Sequence, residues 1–164
     1  MKFSRAMGWI VCVVLGLLLE GPSVFGVKDA QGFVRVAPEE IKWTPVAGGL
    51  GAETAVIEGD PTKPGIYVIM MKFPPGVMST PHFHPFDRHA VVLKGTWWTG
   101  TGTEFAPDKT VPLKPGAYMK HPARAAHFDG AKDEETILQI VGEGPNDSTR
   151  IQPGGAPYAY SMKK

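Results

Sequence analysis

The sequence predicts an all-β barrel, and three observations support this fold class. Short segments rich in β-branched and aromatic residues recur along the chain, 20 Gly and 16 Pro stand largely between them, and no long segment has the pattern of an amphipathic helix. The 164 residues, with 43% apolar and 20% charged side chains, are enough to bury the core of one domain. We therefore expect one small, turn-rich barrel or sandwich.

The predicted strands are short apolar runs separated by turn residues. They cover residues 32–36, 41–46, 54–58, 66–73, 79–84, 88–99, 110–113, 118–121, 126–129 and 136–141. The turns contain Pro and Gly because proline fixes φ and glycine accepts a positive φ. Only residues 103–109 are compatible with a short helix. In the tail, residues 147–164, two tyrosines favour packing on the barrel over a mobile end.

The first residues predict a secretory signal peptide. Lys2 and Arg5 precede an uncharged apolar stretch, residues 6–19, which is shorter than the roughly 20 residues of a membrane span. We expect a signal peptide at residues 1–26, a single mature domain at residues 27–164, and a secreted or periplasmic protein. The alternative is an uncleaved N-terminal anchor, because no A-x-A-like cleavage site is present.

Charge and cysteine content restrict the partners of the mature chain. Removing Lys2, Arg5 and Glu20 from the 17 basic and 16 acidic residues leaves 15 of each, without a basic cluster. This balance argues against nucleic acid and, once the chain is processed, against a membrane surface as partner. The single cysteine, Cys12, lies in the signal peptide, so the mature chain has no disulfide. We expect a small-molecule substrate or ligand as partner.

The histidines are the main indication of chemistry, because all five lie between positions 82 and 127. His82 and His84 are separated by one residue, so in an extended segment both side chains leave the same face. Imidazole nitrogen suits iron, copper, nickel and zinc. His127, from a distant strand, would complete a facial set of ligands if the barrel closes correctly. A pair spaced in this way also occurs by chance, so the context decides its meaning.

That context is a resemblance to the cupin superfamily, which covers both family motifs. The first motif is Gly76, five residues, His82-Phe83-His84, three residues, Arg88, six residues, Gly95; the second is Gly116, five residues, Pro122, then His127. The resemblance implies a double-stranded β-helix barrel of the jelly-roll type. It also implies a divalent metal held inside by His82, His84 and His127, and it favours a homodimer.

Arg88 departs from the family pattern, which usually has a ligating glutamate at this position. Arginine stays protonated and cannot ligate, so the resemblance implies a three-histidine site like that of some cupin dioxygenases. If Arg88 points inward, it could act in catalysis by anchoring a substrate carboxylate, enolate or phosphate. The alternative is a structural ion pair with Asp87 or another acid. His89 would become a fourth ligand only after a one-residue shift, which strand alternation disfavours.

Other positions are expected to have structural roles. His121 ends a predicted strand just before Pro122, where a half-exposed histidine needs no functional explanation. Trp97 and Trp98 are adjacent and face opposite sides, so one ring is expected inside, in the core, and the other outside or in a subunit contact. The second motif has Arg124 where the family usually has glycine, which affects the predicted shape of the loop.

The sequence leaves two main functions open. No Gly-rich phosphate loop, serine nucleophile motif or pair of catalytic carboxylates is present, so any chemistry would come through the metal. The first function is a metal-dependent enzyme, dioxygenase-like or another oxidoreductase or isomerase, acting on a small enol, phenol or carboxylate. Fe²⁺ is the favoured ion, and Mn, Cu, Ni or Zn are compatible. The alternative is a non-catalytic module that binds metal or a small ligand.

Overall fold

The structure, a computed structural model, describes residues 27–161; the predicted signal peptide lies outside this range. Its strands are β1 (Val27–Lys28), β2 (Val34–Arg35), β3 (Thr44–Pro45), β4 (Glu53–Glu58), β5 (Gly65–Phe73), β6 (Val77–Ser79), β7 (His82–Phe83), β8 (Arg88–Lys94), β9 (Trp97–Thr101), β10 (Val111–Leu113), β11 (Tyr118–His121), β12 (His127–Gly130), β13 (Thr136–Gly144), β14 (Thr149–Arg150) and β15 (Tyr158–Tyr160). The all-β class predicted from the sequence is confirmed.

Two antiparallel sheets form the barrel. The six-stranded sheet has the order β11-β8-β13-β5-β4-β3, and the seven-stranded sheet contains the path β10-β9-β12-β6-β15. In the second sheet β7 pairs with both β12 and β14, and β1 and β2 form a separate hairpin. Two facing sheets of this kind are the cupin jelly-roll arrangement, which leaves an interior that side chains from both sheets can line.

The core lies between the sheets because the longest strands alternate buried and more exposed residues. In β13 every second residue from Thr136 to Gly144 is buried, and β5 shows the same alternation from Tyr67 to Phe73. This period of two places one face of each strand in the interior. The main buried cluster consists of Ala52, Tyr67, Ile69, Met71, Phe73, Ala90, Val92, Trp97, Ala131, Leu138 and Ile140. Trp97 thus takes the inner position, and Trp98 is half-buried beneath Lys132.

The prediction of one strand over residues 88–99 was wrong. The chain turns at Gly95, where φ is 73°, and strands β8 and β9 on either side belong to different sheets. Glycine adopts this left-handed conformation without steric cost, and a Cβ at Gly95 would meet the carbonyl oxygen of Glu135. Predicted strand 79–84 is likewise divided between β6 and β7.

The tail packs on the barrel, as predicted from its two tyrosines. β15 pairs with β6, with Tyr158 opposite Ser79, and the Tyr158 ring lies 6.1 Å from that of Phe73. β14 pairs with β7 next to the histidine pair. Neither tail strand was predicted, because each has only two or three residues.

Helical structure is limited to short turns in the described part of the chain. Two 3-10 turns are present, Pro38–Glu40 and Pro107–Lys109, and the second accounts for the helix considered for residues 103–109. Within residues 27–161, no helix has the length and hydrophobicity needed to span a membrane.

Candidate metal centre

The structure brings His82, His84 and His127 together inside the barrel. His127 on β12 is the register partner of His82 on β7, and their ring centroids are 4.4 Å apart. The ring of His84 lies 4.9 Å from that of His82 and 5.4 Å from that of His127. One ring nitrogen of each residue lies within 4.8 Å of the other two. Small shifts would let all three bind one ion at bond lengths near about 2.1 Å.

Contacts with the main chain orient all three imidazoles in the same way. Each Nδ1 lies beside a carbonyl oxygen: His82 beside Thr80 (2.8 Å), His84 beside Asp147 (2.9 Å) and His127 beside Ala125 (3.0 Å). A carbonyl oxygen only accepts, so each Nδ1 is the protonated donor and each Nε2 carries the free lone pair. Such outer contacts fix the tautomer and ring orientation of histidine ligands in metal proteins.

Burial keeps these imidazoles in the form that binds metal. It lowers the pKa of His84 to about 2, with the nearby Arg88 charge acting in the same direction. Burial and the neighbouring His121 lower the pKa of His127 to about 3. Burial also lowers the pKa of His82. At neutral pH the three rings are therefore neutral, and no proton competes for their Nε2 atoms.

Arg88 points inward from β8 and is only 8% exposed. Its guanidinium donates a hydrogen bond to Nε2 of His84, and its own Nε has no hydrogen-bond partner. The alternative of an ion pair with Asp87 was wrong, because the Asp87 carboxylate contacts Lys120 at 2.6 Å. Within residues 27–161 no carboxylate forms an ion pair with Arg88. Burial lowers the pKa of Arg88, and the opposing effects of Tyr67 and Asp129 do not outweigh it.

His89 lies outside the barrel, on the face of β8 opposite Arg88. Its Nδ1 is 2.7 Å from the Tyr118 hydroxyl, and the two rings stack with centroids 6.0 Å apart. The strand keeps the alternation predicted for it, and no bulge brings His89 inward. The structure therefore does not support His89 as a fourth ligand.

His121 is buried, contrary to the expectation of a half-exposed side chain. It is 2% exposed, and its ring stacks on that of His127 with centroids 3.9 Å apart and an interplanar angle of 13°. The edge of its ring also meets Trp97, at 5.5 Å. His121 is the register partner of Arg88, so both residues belong to the inward face of the six-stranded sheet. Pairing across that sheet, which the local sequence does not reveal, places His121 at the cluster.

Asp129 is a site residue that the sequence reasoning missed. The residue is 6% exposed. Its Oδ2 lies 3.3 Å from Nε2 of His121, without hydrogen-bond alignment, and the Ser79 hydroxyl lies 3.2 Å from Oδ1. Burial raises the pKa of Asp129, but the contact with His121 outweighs it and the net pKa is lowered. The sequence feature that could have identified it is its spacing, because Asp129 follows His127 by two residues and therefore shares its face of β12.

A cavity of about 200 Å³ opens beside the cluster. Its lining comprises Val46, Thr54, Ile69, Met71, Phe73, Ser79, His82, His84, Arg88, His121, Asp129, Leu138, Ile140, Asn146, Ser148 and Tyr158. Six of the lining residues are apolar, and the other ten carry polar or titratable groups. The volume is below the roughly 300–1,000 Å³ of pockets for drug-sized ligands, so the cavity suits a small molecule.

Two larger hollows in the described residues lie away from the histidine cluster. One, about 420 Å³, is a surface groove along Ile66, Phe86 and Val141. The other, about 270 Å³, lies beneath the tail near Phe105 and Ile151. Neither contains His84, His127 or Arg88. The titratable groups converge on the smaller cavity beside the histidines, which is therefore the candidate site for chemistry.

The two-sheet barrel and the histidine cluster in its interior define a small cupin with a site able to hold a metal ion. The chain belongs to the ChrR cupin-like domain family, whose model matches residues 31–147. No curated protein matches the sequence significantly.

Several solved structures have a similar fold. The polyketide cyclase RemF from Streptomyces resistomycificus matches with a TM-score of 0.64 and 17% identity over 76% of this chain and 89% of its own. A cupin 2 conserved barrel protein from Rhodopseudomonas palustris gives 0.58 and 14%, over 73% and 85%. KdgF from Halomonas sp. gives 0.53 and 20%, over 65% and 91%. At these identities the likeness establishes the fold alone.

Proposed function

We propose that this protein is a metal-dependent cupin enzyme whose substrate is a small anion with an enol, phenol or carboxylate group. The observation that carries the proposal is the common orientation of His82, His84 and His127, each with Nδ1 on a main-chain carbonyl and Nε2 as the unprotonated nitrogen. Three neutral imidazoles would hold the metal and leave open positions for substrate, which favours an enzyme over a closed structural site.

Arg88 supports an anionic substrate. A buried guanidinium without a carboxylate partner costs several kcal/mol, and an anion in the cavity would remove that cost. Nε of Arg88 is a buried donor without a partner, and Oδ1 of Asn146, in the same lining, is a buried acceptor without one. The pair would bind a molecule that carries both a negative oxygen and an O–H group. Hydroxy acids and enolised oxo acids have this combination.

A bound divalent transition metal, Fe²⁺ as first candidate, would supply Lewis-acid polarisation and access to redox chemistry with dioxygen. The chain's own residues would do the rest. Arg88 would balance negative charge on the substrate, and the aliphatic wall formed by Ile69, Leu138 and Ile140 would exclude bulk water. Dioxygen cleavage of an enol or phenol is the specific reaction that we propose to test first.

The first experiment measures the metal. The full chain is expressed without a histidine tag, and the processed product is assayed by elemental analysis before and after anaerobic reconstitution with Fe²⁺. We expect near-stoichiometric metal in the wild type and its loss on purification of the His82→Ala and His84→Ala variants. His89→Ala is the matched control, because that imidazole faces solvent and should leave metal content unchanged. Equal metal content in all four proteins would refute the ligand assignment.

The second experiment separates an enzyme from a binding module. Oxygen uptake and product formation are measured with the Fe²⁺-loaded protein and a panel of small enols, catechols and hydroxy or oxo acids. Turnover that is lost in Arg88→Met, with metal retained, would support the enzyme. The alternative is a non-catalytic binding module, which is favoured by the hydrogen bond from Arg88 to His84 because this bond occupies the nitrogen that a catalytic metal would need. Stable binding of metal and anion without turnover would identify such a module.

We also propose that the protein is exported. The support is the sequence of residues 1–26, with two basic residues before a short apolar stretch. Expression of the full chain in a Gram-negative host should give a periplasmic product whose N-terminus lies near Val27. A cytoplasmic or membrane-retained product with an intact N-terminus would contradict this.

A homodimer is a further part of the proposal. The outer face of the six-stranded sheet exposes Ile66, Leu93 and Tyr118, by 68%, 46% and 56%. Apolar side chains on one sheet face are typical of subunit contacts. Light scattering should give twice the mass of the mature chain, and Leu93→Lys should shift it toward the monomer. A monomer in the wild type at micromolar concentration would oppose the proposal.

A further inference from the structure

Next to the three-histidine set lies a second group of metal-ligating side chains. His121, His127 and Asp129 each place one ligand atom within 4.8 Å of the other two. All three are more than nine-tenths buried, with exposures of 2%, 3% and 6%. The two groups have only His127 in common.

Several polar atoms of this second group lack hydrogen-bond partners. Neither ring nitrogen of His121 makes a hydrogen bond, although Nε2 lies 3.3 Å from Oδ2 of Asp129. Nε2 of His127 has none either. Leaving a buried polar group unsatisfied costs about 1–3 kcal/mol, and native proteins seldom do so without a ligand or a function. A cation bound to Nε2 of His127, one ring nitrogen of His121 and the Asp129 carboxylate would satisfy one of the unpartnered nitrogens of each ring.

The Asp129 carboxylate is held in place for such a role. The Ser79 hydroxyl shares its proton between Oδ1, at 3.2 Å, and the Asp129 main-chain carbonyl, at 3.1 Å, and the Asp129 main-chain N–H donates back to this hydroxyl at 3.0 Å. These bonds leave Oδ2 directed toward His121. Two imidazoles and one carboxylate form a ligand set suited to Fe²⁺, Mn²⁺ and Zn²⁺, and the carboxylate offsets one charge of the ion.

We propose that His121, His127 and Asp129 form a second position for a divalent transition metal, alternative to the three-histidine position. The two positions exclude each other, because Nδ1 of His127 is committed to the Ala125 carbonyl and its Nε2 can bind only one ion. The inference rests on the proposed metal site only through the shared His127. It means that one ion can bind His127 in either of two ligand sets within the same barrel.

The test uses Co²⁺ alone as the probe, with absorption spectra and calorimetric titration. The wild-type protein should bind one equivalent. A His82→Ala, His84→Ala double variant should still bind one equivalent, at least about tenfold more weakly, with an altered d–d spectrum. Adding Asp129→Asn or, separately, His121→Leu should abolish this residual binding, whereas adding His89→Ala should not. Circular dichroism establishes that each variant is folded. If the Asp129→Asn variant does not fold, the His121→Leu variant provides the test.

The outcomes separate this inference from the proposed function. If the wild type binds Co²⁺ and the folded double variant does not, the second position is refuted and the three-histidine site stands. Residual binding that survives both the Asp129 and His121 changes also refutes it. Two equivalents in the wild type would overturn mutual exclusion. If neither the wild type nor the double variant binds Co²⁺, both proposals fail. Anomalous scattering from Co²⁺ crystals locates the ion directly.

Discussion

The guanidinium of Arg88 donates a hydrogen bond to Nε2 of His84, the same nitrogen that the three-histidine site offers to a metal. A neutral imidazole has one lone pair in its ring plane, and it is given either to an N–H donor or to an ion. Because Nδ1 of His84 is committed to the Asp147 carbonyl, no second nitrogen is available. Arg88 and the metal therefore compete for His84.

This competition predicts that Arg88→Met strengthens metal binding. The substitution removes both the competing donor and a positive charge beside the site, so the affinity for Co²⁺ or Zn²⁺ should rise by about tenfold or more, equivalent to about 1.4 kcal/mol. Competition with a chromophoric chelator measures it. The control is Arg35→Met, which removes an arginine that pairs with Asp29 outside the barrel. Unchanged or weaker metal binding in Arg88→Met would contradict the competition.

The metal-free protein should lose stability on mild acidification. The pKa values of His84 and His127 are lowered to about 2 and about 3, whereas in the unfolded chain they lie near about 6.5. The stability from keeping these rings neutral is complete above pH 6.5. It falls as the pH drops from there toward the folded pKa values, because the unfolded state binds more protons in that window.

Each of these two histidines contributes a loss of about 1.4 kcal/mol per pH unit in that window. Urea unfolding of the metal-free protein between about pH 7 and 5 measures the effect. A free energy of unfolding that stays constant from pH 7 to 5 would show that the buried rings accept protons without cost.

The sequence predicted the fold well where the strands are long and alternate. Strand 66–73 was predicted within one residue of β5, and strands 54–58 and 118–121 agree closely with β4 and β11. The prediction over residues 88–99 was wrong because one glycine between two segments with strand composition, Gly95, turns the chain into the other sheet. Whether such a glycine lies in a strand or at a turn depends on which sheet receives the next residues, and that is a long-range property.

The candidate site was only partly predictable. The spacing of His82 and His84 and the family motifs indicated three inward imidazoles, and alternation correctly separated Arg88 from His89. His121 and Asp129 could not be assigned in the same way, because His121 reaches the cluster from the opposite sheet and Asp129 gains its meaning from contacts with His121 and Ser79. Contacts between sheets depend on the closed barrel, whereas side-chain parity along one strand is local.

Two motif glycines should differ sharply in their tolerance of alanine. Gly95 and Gly116 both have positive φ, 73° and 86°, which costs a non-glycine residue about 1–2 kcal/mol. At Gly116 a Cβ would meet no atom within 4 Å, whereas at Gly95 it would meet the carbonyl of Glu135. In Gly116→Ala the free energy of unfolding should therefore fall only by the cost of the left-handed conformation. In Gly95→Ala it should fall by at least about twice as much, because the strands must also separate locally.

Chemical unfolding of both variants measures this difference, with equal denaturant slopes as the check that the native state is retained. Equal losses in the two variants would mean that the backbone near Glu135 gives way easily. In that case the tight crossing between β8 and β9 is not a requirement of the fold.

Arg124 stands where the cupin family usually has glycine, and the structure explains why glycine suits the position. Its φ is 61°, one of two positive values among the non-glycine residues described, and its N–H donates to the carbonyl oxygen of His84 at 2.7 Å. The side chain is exposed and forms no ion pair in residues 27–161. The loop thus keeps a left-handed backbone that ties it to the metal site, at a conformational cost to arginine.

Arg124→Gly should therefore stabilise the protein. Relief of the left-handed conformation should raise the free energy of unfolding by about 1–2 kcal/mol. The greater freedom of glycine in the unfolded chain offsets about 0.4–1 kcal/mol of this increase, which leaves a net gain of about 0.5–1 kcal/mol. Leu50→Gly, at the other positive φ of 52°, is the matched comparison and should also gain stability if the conformational argument is general. Urea unfolding measures both, and Co²⁺ affinity should not change in either variant. A destabilised Arg124→Gly protein with weakened Co²⁺ binding would mean that the arginine side chain itself holds the loop against His84.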